Sequence, residues 1–370
     1  MSEHIRWCRS RREFLTDAFC GMGSLAFTQM LFEERARAAT ANANPLAPRP
    51  PHFTAKAKSV IFLFMAGGPS HLETFDPKPL LNKLNGQTRP KEFGEVKYQF
   101  VANNARILGT KRTFKRYGKA GIEVSDLFPH QAGIVDDLAI IRSCHGDMVV
   151  HSAAQYQLFS GRIIPGFPSM GSWAVYGLGS ESNSLPAYVV SPDPDGALEG
   201  GQPMYMHGFL PAVFQPTMLR AGKKPILNLD LPPGVELDTR RNTVELIRKL
   251  NEANLKATVE AEDDEFRERM NAYDLAFRMQ TEAPEVFDIS RESQETLELY
   301  GVGKEPTDDY GRRCLLARRL AERGVRFIEL IDVGSSNNWD SHGNMADHER
   351  LAKNVDQPIA ALLKDLKLRG

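Results

Sequence analysis

Three groups of residues in this 370-residue sequence combine carboxylates, histidines and serines at spacings that suit metal binding or nucleophilic chemistry. The first group is Ser70, His71, Glu73 and Asp76, the second is His145, Asp147, His151 and Ser152, and the third is Asp340 with His342. These residue types supply ligands for divalent cations, general bases and a nucleophile. We therefore expect them to form one site, provided that the fold brings them together.

The third group, Asp340-Ser341-His342, places a carboxylate and an imidazole two residues apart in a predicted loop. Oxygen and nitrogen donors of these kinds suit zinc, manganese or a similar divalent ion. A second interpretation stays open, in which Asp340 caps the last helix and His342 is a solvated loop residue.

Ser152 in the second group is the candidate nucleophile, because it lies at the start of a predicted helix whose dipole favours negative charge. His151, directly before it, could act as a ligand or as a general base. Ser152 and Gln155 also have the spacing of a capping box, so a purely structural role for this serine is the alternative.

The first group follows a tight turn at Gly67 and Gly68. Ser70 and Glu73 have the spacing of a capping box that would open a helix. His71, Glu73 and Asp76 are candidate metal ligands. The alternatives are a structural role for the histidine and a favourable position of the carboxylates in the first turn of a helix.

The elements that must position these groups are short apolar runs that alternate with helical patterns. The runs predict buried strands at 59–65, 137–143, 185–191 and 325–331, and the first lacks alternation, as in the centre of a parallel sheet. One helix is predicted to open within 144–155 and to end near Ser160-Gly161, helical patterns follow at about 240–313 and 307–324, and an amphipathic helix ends the sequence. This order predicts an α/β fold with a mostly parallel central sheet and helices on both faces. Since parallel strands end at one edge of a sheet, the three groups should meet there.

The N-terminus indicates export. Ser10-Arg11-Arg12-Glu13-Phe14-Leu15 precedes a modestly apolar stretch, which is the pattern of a twin-arginine signal over residues 1–41, although a basic amphipathic helix is the alternative. A proline-rich linker at 42–58 then leads to an α/β domain at 59–370 with a helical insertion at about 240–313. The twin-arginine translocase is the expected partner during export, and the expected location is periplasmic or secreted.

Composition excludes several classes of protein. The net charge of −1 gives no support for nucleic-acid binding, and no apolar run is long enough for a transmembrane segment. No G-x-S-x-G, Walker A or strand-linked G-x-G-x-x-G sequence is present. Outside the signal, Cys144 and Cys314 are expected to be buried free thiols, with a disulfide as the alternative.

Several motifs together resemble the exported bacterial family named domain of unknown function 1501, within the alkaline phosphatase and sulfatase superfamily. They are the twin-arginine signal and the stretches at 64–79, 168–173, 276–280, 316–320, 324–327 and 339–342. The resemblance implies an alkaline-phosphatase-like fold, with Ser152 at the nucleophile position and Asp340 and His342 as metal ligands. It also implies a metal-binding Asp at a position where this chain has Gly67 or Gly68. His71, Glu73 or Asp76 would have to supply that missing ligand.

The resemblance further implies a sequence that continues beyond Gly370 with more ligands, so we expect the chain to be C-terminally truncated. The expected function is hydrolysis of phosphate or sulfate esters on small molecules or polysaccharides. The expected cofactor is a divalent metal, zinc, manganese or calcium. The alternative is a non-catalytic cell-envelope protein that binds a partner or has a structural role while it keeps the fold.

Overall fold

The computed structural model describes residues 44–94, 102, 104–220, 225–226, 229, 234–257, 264–334, 338–342 and 344–370. The predicted signal at 1–41 lies outside these residues. The chain divides into two compact units, Met1–Ala47 and Pro48–Gly370. Of the first unit the structure describes only a short turn, in which the Ala47 N–H donates to the Asn44 carbonyl over 2.9 Å. The second unit contains all the strands and helices given below.

A four-stranded parallel sheet forms the centre of the second unit. Its strands lie in the order β1-β6-β4-β5 and are β1 Val60–Met65, β4 Tyr188–Ser191, β5 Thr217–Met218 and β6 Phe327–Asp332. Three of them confirm the strands expected at 59–65, 185–191 and 325–331. A separate antiparallel hairpin is formed by β2 Phe114–Tyr117 and β3 Ile122–Ser125.

Ten helices connect and cover these strands in the described part of the chain. They are α1 His71–Thr74, α2 Pro79–Lys83, α3 Pro129–Ala132, α4 His151–Ser160, α5 Met170–Leu178, α6 Leu237–Ala257, α7 Asp264–Phe287, α8 Gln294–Leu299, α9 Asp308–Glu322 and α10 Asp347–Arg369. Short 3₁₀ turns occur at Lys91–Phe93, Val135–Asp137, Gln202–Tyr205, Ala212–Phe214 and Ile289–Arg291. The region predicted to be helical at 240–313 thus contains α6, α7 and α8, together with the first turns of α9.

Two strand predictions were wrong in part or in full. The 137–143 run forms no strand: a 3₁₀ turn ends at Asp137, the rest is irregular and Ile141 is largely exposed. Among the described strands β1 pairs only with β6, so it lies at an edge of the sheet and is only partly buried. Apolar composition alone did not distinguish these two runs, because the number of strand partners depends on distant residues.

Helices cover both faces of the sheet, as expected. On one face, Ile328 and Leu330 of β6 belong to a core that includes Leu315 of α9 and Val355 of α10. On the other face, α5 packs so closely on Tyr188 that a Cβ at Gly171 would lie 2.5 Å from the tyrosine ring. This close contact between α5 and Tyr188 requires glycine at position 171. It brings the Tyr188 hydroxyl under the middle of β6.

Glu329, in the middle of β6, is a carboxyl group buried under α5. The Tyr188 hydroxyl donates to its Oε2 over 2.7 Å, and Ser169 donates to the Tyr188 hydroxyl over 3.4 Å. Its Oε1 has no hydrogen-bond partner among the described residues. Burial raises the pKa of Glu329 from 4.5 to about 8, because a lone carboxylate is poorly solvated there. The group is therefore protonated in the folded protein at neutral pH.

Replacing Glu329 by glutamine should remove part of the pH dependence of stability. Between about pH 4.5 and about pH 8 the unfolded chain loses this proton while the folded chain keeps it, so the free energy of unfolding falls as pH rises, by about 1.4 kcal/mol per pH unit for this one group. The free energy of unfolding, measured by urea unfolding at several pH values in this range, should fall less steeply with pH for Glu329→Gln than for the wild type. Glu295→Gln, at an exposed position of α8, should keep the wild-type slope. Equal slopes for all three proteins would contradict the assignment.

Candidate metal centre

The carboxyl ends of β1 and β6 bring two loops together, as parallel topology predicts. The last residues of the two strands, Met65 and Asp332, are paired in register, and the Ala66 N–H donates to the Asp332 carbonyl over 2.8 Å. The Ala66 carbonyl in turn accepts from the Trp339 N–H over 3.0 Å. These bonds place the segment that carries Asp340 beside the glycine turn that follows β1.

Asp340 lies between two histidines. Its Oδ2 atom is 2.7 Å from Nε2 of His151, at the start of α4, and 2.6 Å from Nε2 of His342. One ligand atom from each of the three residues can be chosen so that all lie within 4.8 Å of one another. Two imidazole nitrogens and one carboxylate oxygen are a donor set used by three-ligand metal centres, which leave a coordination position open for water or substrate. Since the His342 side chain is 84% exposed, solvent reaches the group.

A buried anchor fixes the segment before Asp340. Trp339 is buried, and its indole N–H donates to Asp332 Oδ2 over 2.7 Å, while the Asn338 amide donates to Oδ1 over 3.2 Å. Burial raises the pKa of Asp332, and the bonds from Trp339 and Asn338 oppose that rise because they favour the charged form. The carboxylate therefore holds both side chains and sets where the next residue, Asp340, begins.

His348, in the first turn of α10, joins this anchor to the loop after β1. Its Nε2 accepts the Ser70 N–H over 3.0 Å, and its ring packs edge to face on Trp339 with centroids 5.4 Å apart. Burial lowers the pKa of His348, which favours the neutral imidazole that this acceptor role requires. Sequence reasoning missed this residue. A signal was available, because His348, Leu351 and Val355 lie at i, i+3 and i+7 on the buried side of the helix.

Ser152 is the second residue of α4, which begins at His151 and ends at Ser160 before a left-handed Gly161, so the predicted helix end near Ser160-Gly161 is confirmed. The residue in the capping position is Val150, so Ser152 does not cap the helix as the alternative proposed. Its hydroxyl forms no hydrogen bond with another described residue, and α4 has ten residues whose aligned dipoles favour an anion at this end. The first-turn N–H groups have no partners within the helix, so they can donate to a bound anion.

The carboxylates of the first group are engaged elsewhere. Glu73 is buried and accepts from Arg112 Nε over 3.1 Å, and Asp76 pairs with Lys78 over 2.8 Å. The capping box predicted for Ser70 and Glu73 does not form, because the Glu73 side chain is held by Arg112 and the Ser70 side chain makes no capping bond. His71 is exposed at the start of α1, and none of these three candidate ligands belongs to the cluster around Asp340.

The remaining candidates have structural partners. Asp147 Oδ2 accepts from the Gln157 amide over 2.7 Å, which ties the loop before α4 to that helix, whereas His145 is exposed. The alternative role of Asp340 as a helix cap is wrong, since α10 begins at Asp347 after Ala346. Both cysteines are free thiols as expected. Cys314 is buried, but Cys144 is exposed because no strand forms at 137–143.

The fold and the site define an α/β protein with a parallel sheet and a His/Asp cluster at the carboxyl edge of that sheet. The family model described as Protein of unknown function (DUF1501) matches residues 57–370, and the chain belongs to this family. Neither the curated proteins nor the solved structures contain a significant match. None of the described helices is both long enough and apolar enough to cross a membrane.

Proposed function

We propose that the protein is an exported, metal-dependent hydrolase of phosphate or sulfate esters, acting on a small-molecule or polysaccharide ester. The observation that carries this proposal is the convergence of His151, Asp340 and His342 at the N-terminus of α4, where Ser152 follows His151 in the chain. Attack on an ester of an inorganic acid needs ligands for a cation, an available hydroxyl and a group that stabilises anions. The cluster supplies the ligands, Ser152 supplies a hydroxyl without a hydrogen-bond partner among the described residues, and the helix N-terminus favours the anion.

The donor set selects among the expected cations. Calcium takes six to eight oxygen ligands, whereas zinc and manganese accept imidazole nitrogens together with carboxylate oxygen. Two histidines and one aspartate therefore favour zinc or manganese over calcium. His151 presents Nε2 toward Asp340, so we assign it to the ligand set and not to general-base catalysis.

In the proposed reaction the Ser152 oxygen attacks the phosphorus or sulfur atom while the bond to the alcohol oxygen breaks. The proton that the serine loses is taken up by the departing alcohol. Water then hydrolyses the serine ester, which releases phosphate or sulfate and restores the hydroxyl. The N–H groups at the start of α4 bind the anionic oxygens throughout. A bound divalent cation would lower the pKa of the nucleophile and offset the charge on those oxygens.

The finer assignments of fold and location belong to the same proposal. The proposal draws on three segments, namely the β1 turn, the helix that opens at His151 and the Asp340-Ser341-His342 loop, because the resemblance to alkaline phosphatases and sulfatases implies site residues in segments of this kind. Together with the Arg11-Arg12 pattern, they support an alkaline-phosphatase-like hydrolase exported by the twin-arginine translocase to the periplasm or the medium.

A second candidate function is a cell-envelope protein that keeps the fold without catalysis. The specific observation in its favour is that Gly67 and Gly68 stand where the resemblance implies a ligand, while Glu73 is held by Arg112. With three ligands on the described residues, the cluster would then bind a cation or a partner without turnover.

Metal content and turnover distinguish the two functions. We expect protein purified without added metal to contain about one zinc or manganese ion per chain by plasma mass spectrometry, and to hydrolyse 4-nitrophenyl phosphate or sulfate. Ser152→Ala should keep the metal and lower turnover by about 10⁴-fold or more, the scale seen when a nucleophile is removed. Ser160→Ala at the other end of α4 removes a hydroxyl that bonds the Tyr156 carbonyl and should keep full activity. Metal without turnover would support the second function, and absence of both would overturn the hydrolase.

A further inference from the structure

A group of aromatic side chains, exposed except for the half-buried Phe167, covers the outer face of α5 and the loops beside it. We define this aromatic patch as Phe167, Trp173, Tyr176 and Phe209. Trp173 lies 5.7 Å from Tyr176 and 5.8 Å from Phe209, and Phe209 lies 6.0 Å from Phe167, as measured between ring centroids. Trp173 is 43% exposed and Phe209 is 63% exposed. Large rings of this kind are normally buried, so a contiguous exposed set indicates a surface that contacts another phase or molecule.

Two aliphatic side chains extend the aromatic patch. Ile163 and Ile164, in the loop between α4 and α5, are both exposed. Branched aliphatic chains at a loop tip have no flat face on which a sugar ring could stack. They gain free energy when they enter a hydrocarbon phase, and aromatic rings such as those of Trp and Tyr favour the boundary between that phase and water.

Two arginines contact rings of the aromatic patch. The Arg162 guanidinium lies 5.4 Å from the centre of the Phe167 ring, and Arg49 lies 5.7 Å from that of Tyr176 and donates to the Tyr176 carbonyl over 2.6 Å. Arg162 forms no ion pair with any residue that the structure describes. The stretches 160–180 and 200–220, which supply the patch, contain no Asp or Glu, although the chain has 47 in 370 residues. Segments without carboxylates that have arginines against their aromatic rings are complementary to an anionic partner.

We propose that the aromatic patch, with Ile163, Ile164 and Arg162, docks on an anionic lipid bilayer. The apolar side chains enter the outer part of the bilayer, the arginines bind lipid phosphates, and the absence of carboxylates avoids repulsion. The helix α4 runs from this surface to His151 and is about 15 Å long. Docking would therefore hold the candidate metal centre near the membrane surface without burying it.

Vesicle sedimentation with the full chain tests this surface. Residues 1–43 are present in every variant, so their own affinity for lipid cancels in the comparison. We expect binding to vesicles of phosphatidylcholine mixed with phosphatidylglycerol to exceed binding to phosphatidylcholine alone and to weaken with salt. Ile164→Glu and Arg162→Glu should each lower the affinity for the mixed vesicles by about 10-fold or more. Leu108→Glu, which adds the same charge at an exposed leucine outside the patch, should remain within about twofold of the wild type.

The alternative occupants give different results. If Ile164→Glu and Leu108→Glu bind the mixed vesicles equally, the lipid proposal is overturned. Conversion of a dimer to a monomer by Ile164→Glu in sedimentation velocity, without an effect on vesicles, would assign the surface to a second copy of the chain. If Ile164→Glu is no longer retained on a sulfated polysaccharide gel but binds vesicles as the wild type does, the surface would be assigned to an acidic polysaccharide. Unchanged thermal unfolding of each variant confirms that the substitutions leave the fold intact.

Discussion

Replacing Asp340 by asparagine is expected to lower the affinity for zinc or manganese by at least about 100-fold, above the 10- to 100-fold typical of residues that only orient ligands. Asp340 is the central member of the cluster, since its Oδ2 faces both His151 and His342 at 2.7 and 2.6 Å. Asparagine keeps the shape but removes the negative charge that a divalent cation requires. Competition against a chromogenic chelator measures the change, and ester turnover should fall with it.

Asp347→Asn is the matched control for this substitution. Asp347 begins α10 only seven residues later, accepts from the Asn344 amide over 3.3 Å and lies outside the cluster. The same loss of charge there should leave metal affinity within about twofold. If the two variants lose affinity equally, the effect is one of general charge, and if neither loses it, the ion binds elsewhere.

Replacing Arg318 by methionine is expected to lower the free energy of unfolding by about 3–5 kcal/mol, the range for removal of one member of a buried ion pair. The Arg318 side chain is 2% exposed and pairs with Glu292 over 2.8 Å, Glu322 over 2.7 Å and Asp365 over 3.2 Å. Methionine fills much of the volume but leaves the Glu292 and Asp365 carboxylates with one partner fewer. Urea unfolding followed by circular dichroism measures the loss.

Two further variants separate charge from packing at this network. Arg312→Met removes an exposed arginine of the same helix that pairs with Asp308 at i,i+4 and should cost about 0.3–0.5 kcal/mol. Adding Glu292→Gln to Arg318→Met should recover part of the stability, because it removes the charge of a buried carboxylate that has lost Arg318 and keeps Arg319 as an ion-pair partner. If the double variant is as unstable as the sum of the two single variants, lost packing and not electrostatics explains the effect.

The parts of the site that could be predicted from sequence were those set by local pattern and by parallel topology. The runs at 59–65 and 325–331 are mostly apolar, and they contain the strands β1 and β6. Asp340 and His342 follow the second of these, and His151 opens a helix before a left-handed Gly161. Since parallel strands end at one edge, the position of Asp340 beside the turn after β1 follows from topology. The contact of His151 with Asp340 does not, because the strand expected at 137–143 does not form.

The parts that could not be predicted depend on distant partners. The 137–143 run is apolar but pairs with no strand, and the carboxylate of Glu73 goes to Arg112 although Ser70 is nearer in sequence. Asp332 and His348 are buried polar residues whose roles appear only when Trp339 and Ser70 are in place. Spacing along a chain does not encode such pairings, so reasoning from local motifs favoured capping boxes over long-range bonds.

The hydrogen bond from Ser70 to His348 joins residues 278 positions apart, and the contact of His151 with Asp340 spans 189. Closing contacts between such distant residues costs loop entropy, which slows folding. During synthesis from the N-terminus, Ser152 and His151 leave the ribosome long before Asp340 exists. The cluster of His151, Asp340 and His342 therefore assembles only after the last of these residues has been made, and an unfinished chain cannot present it.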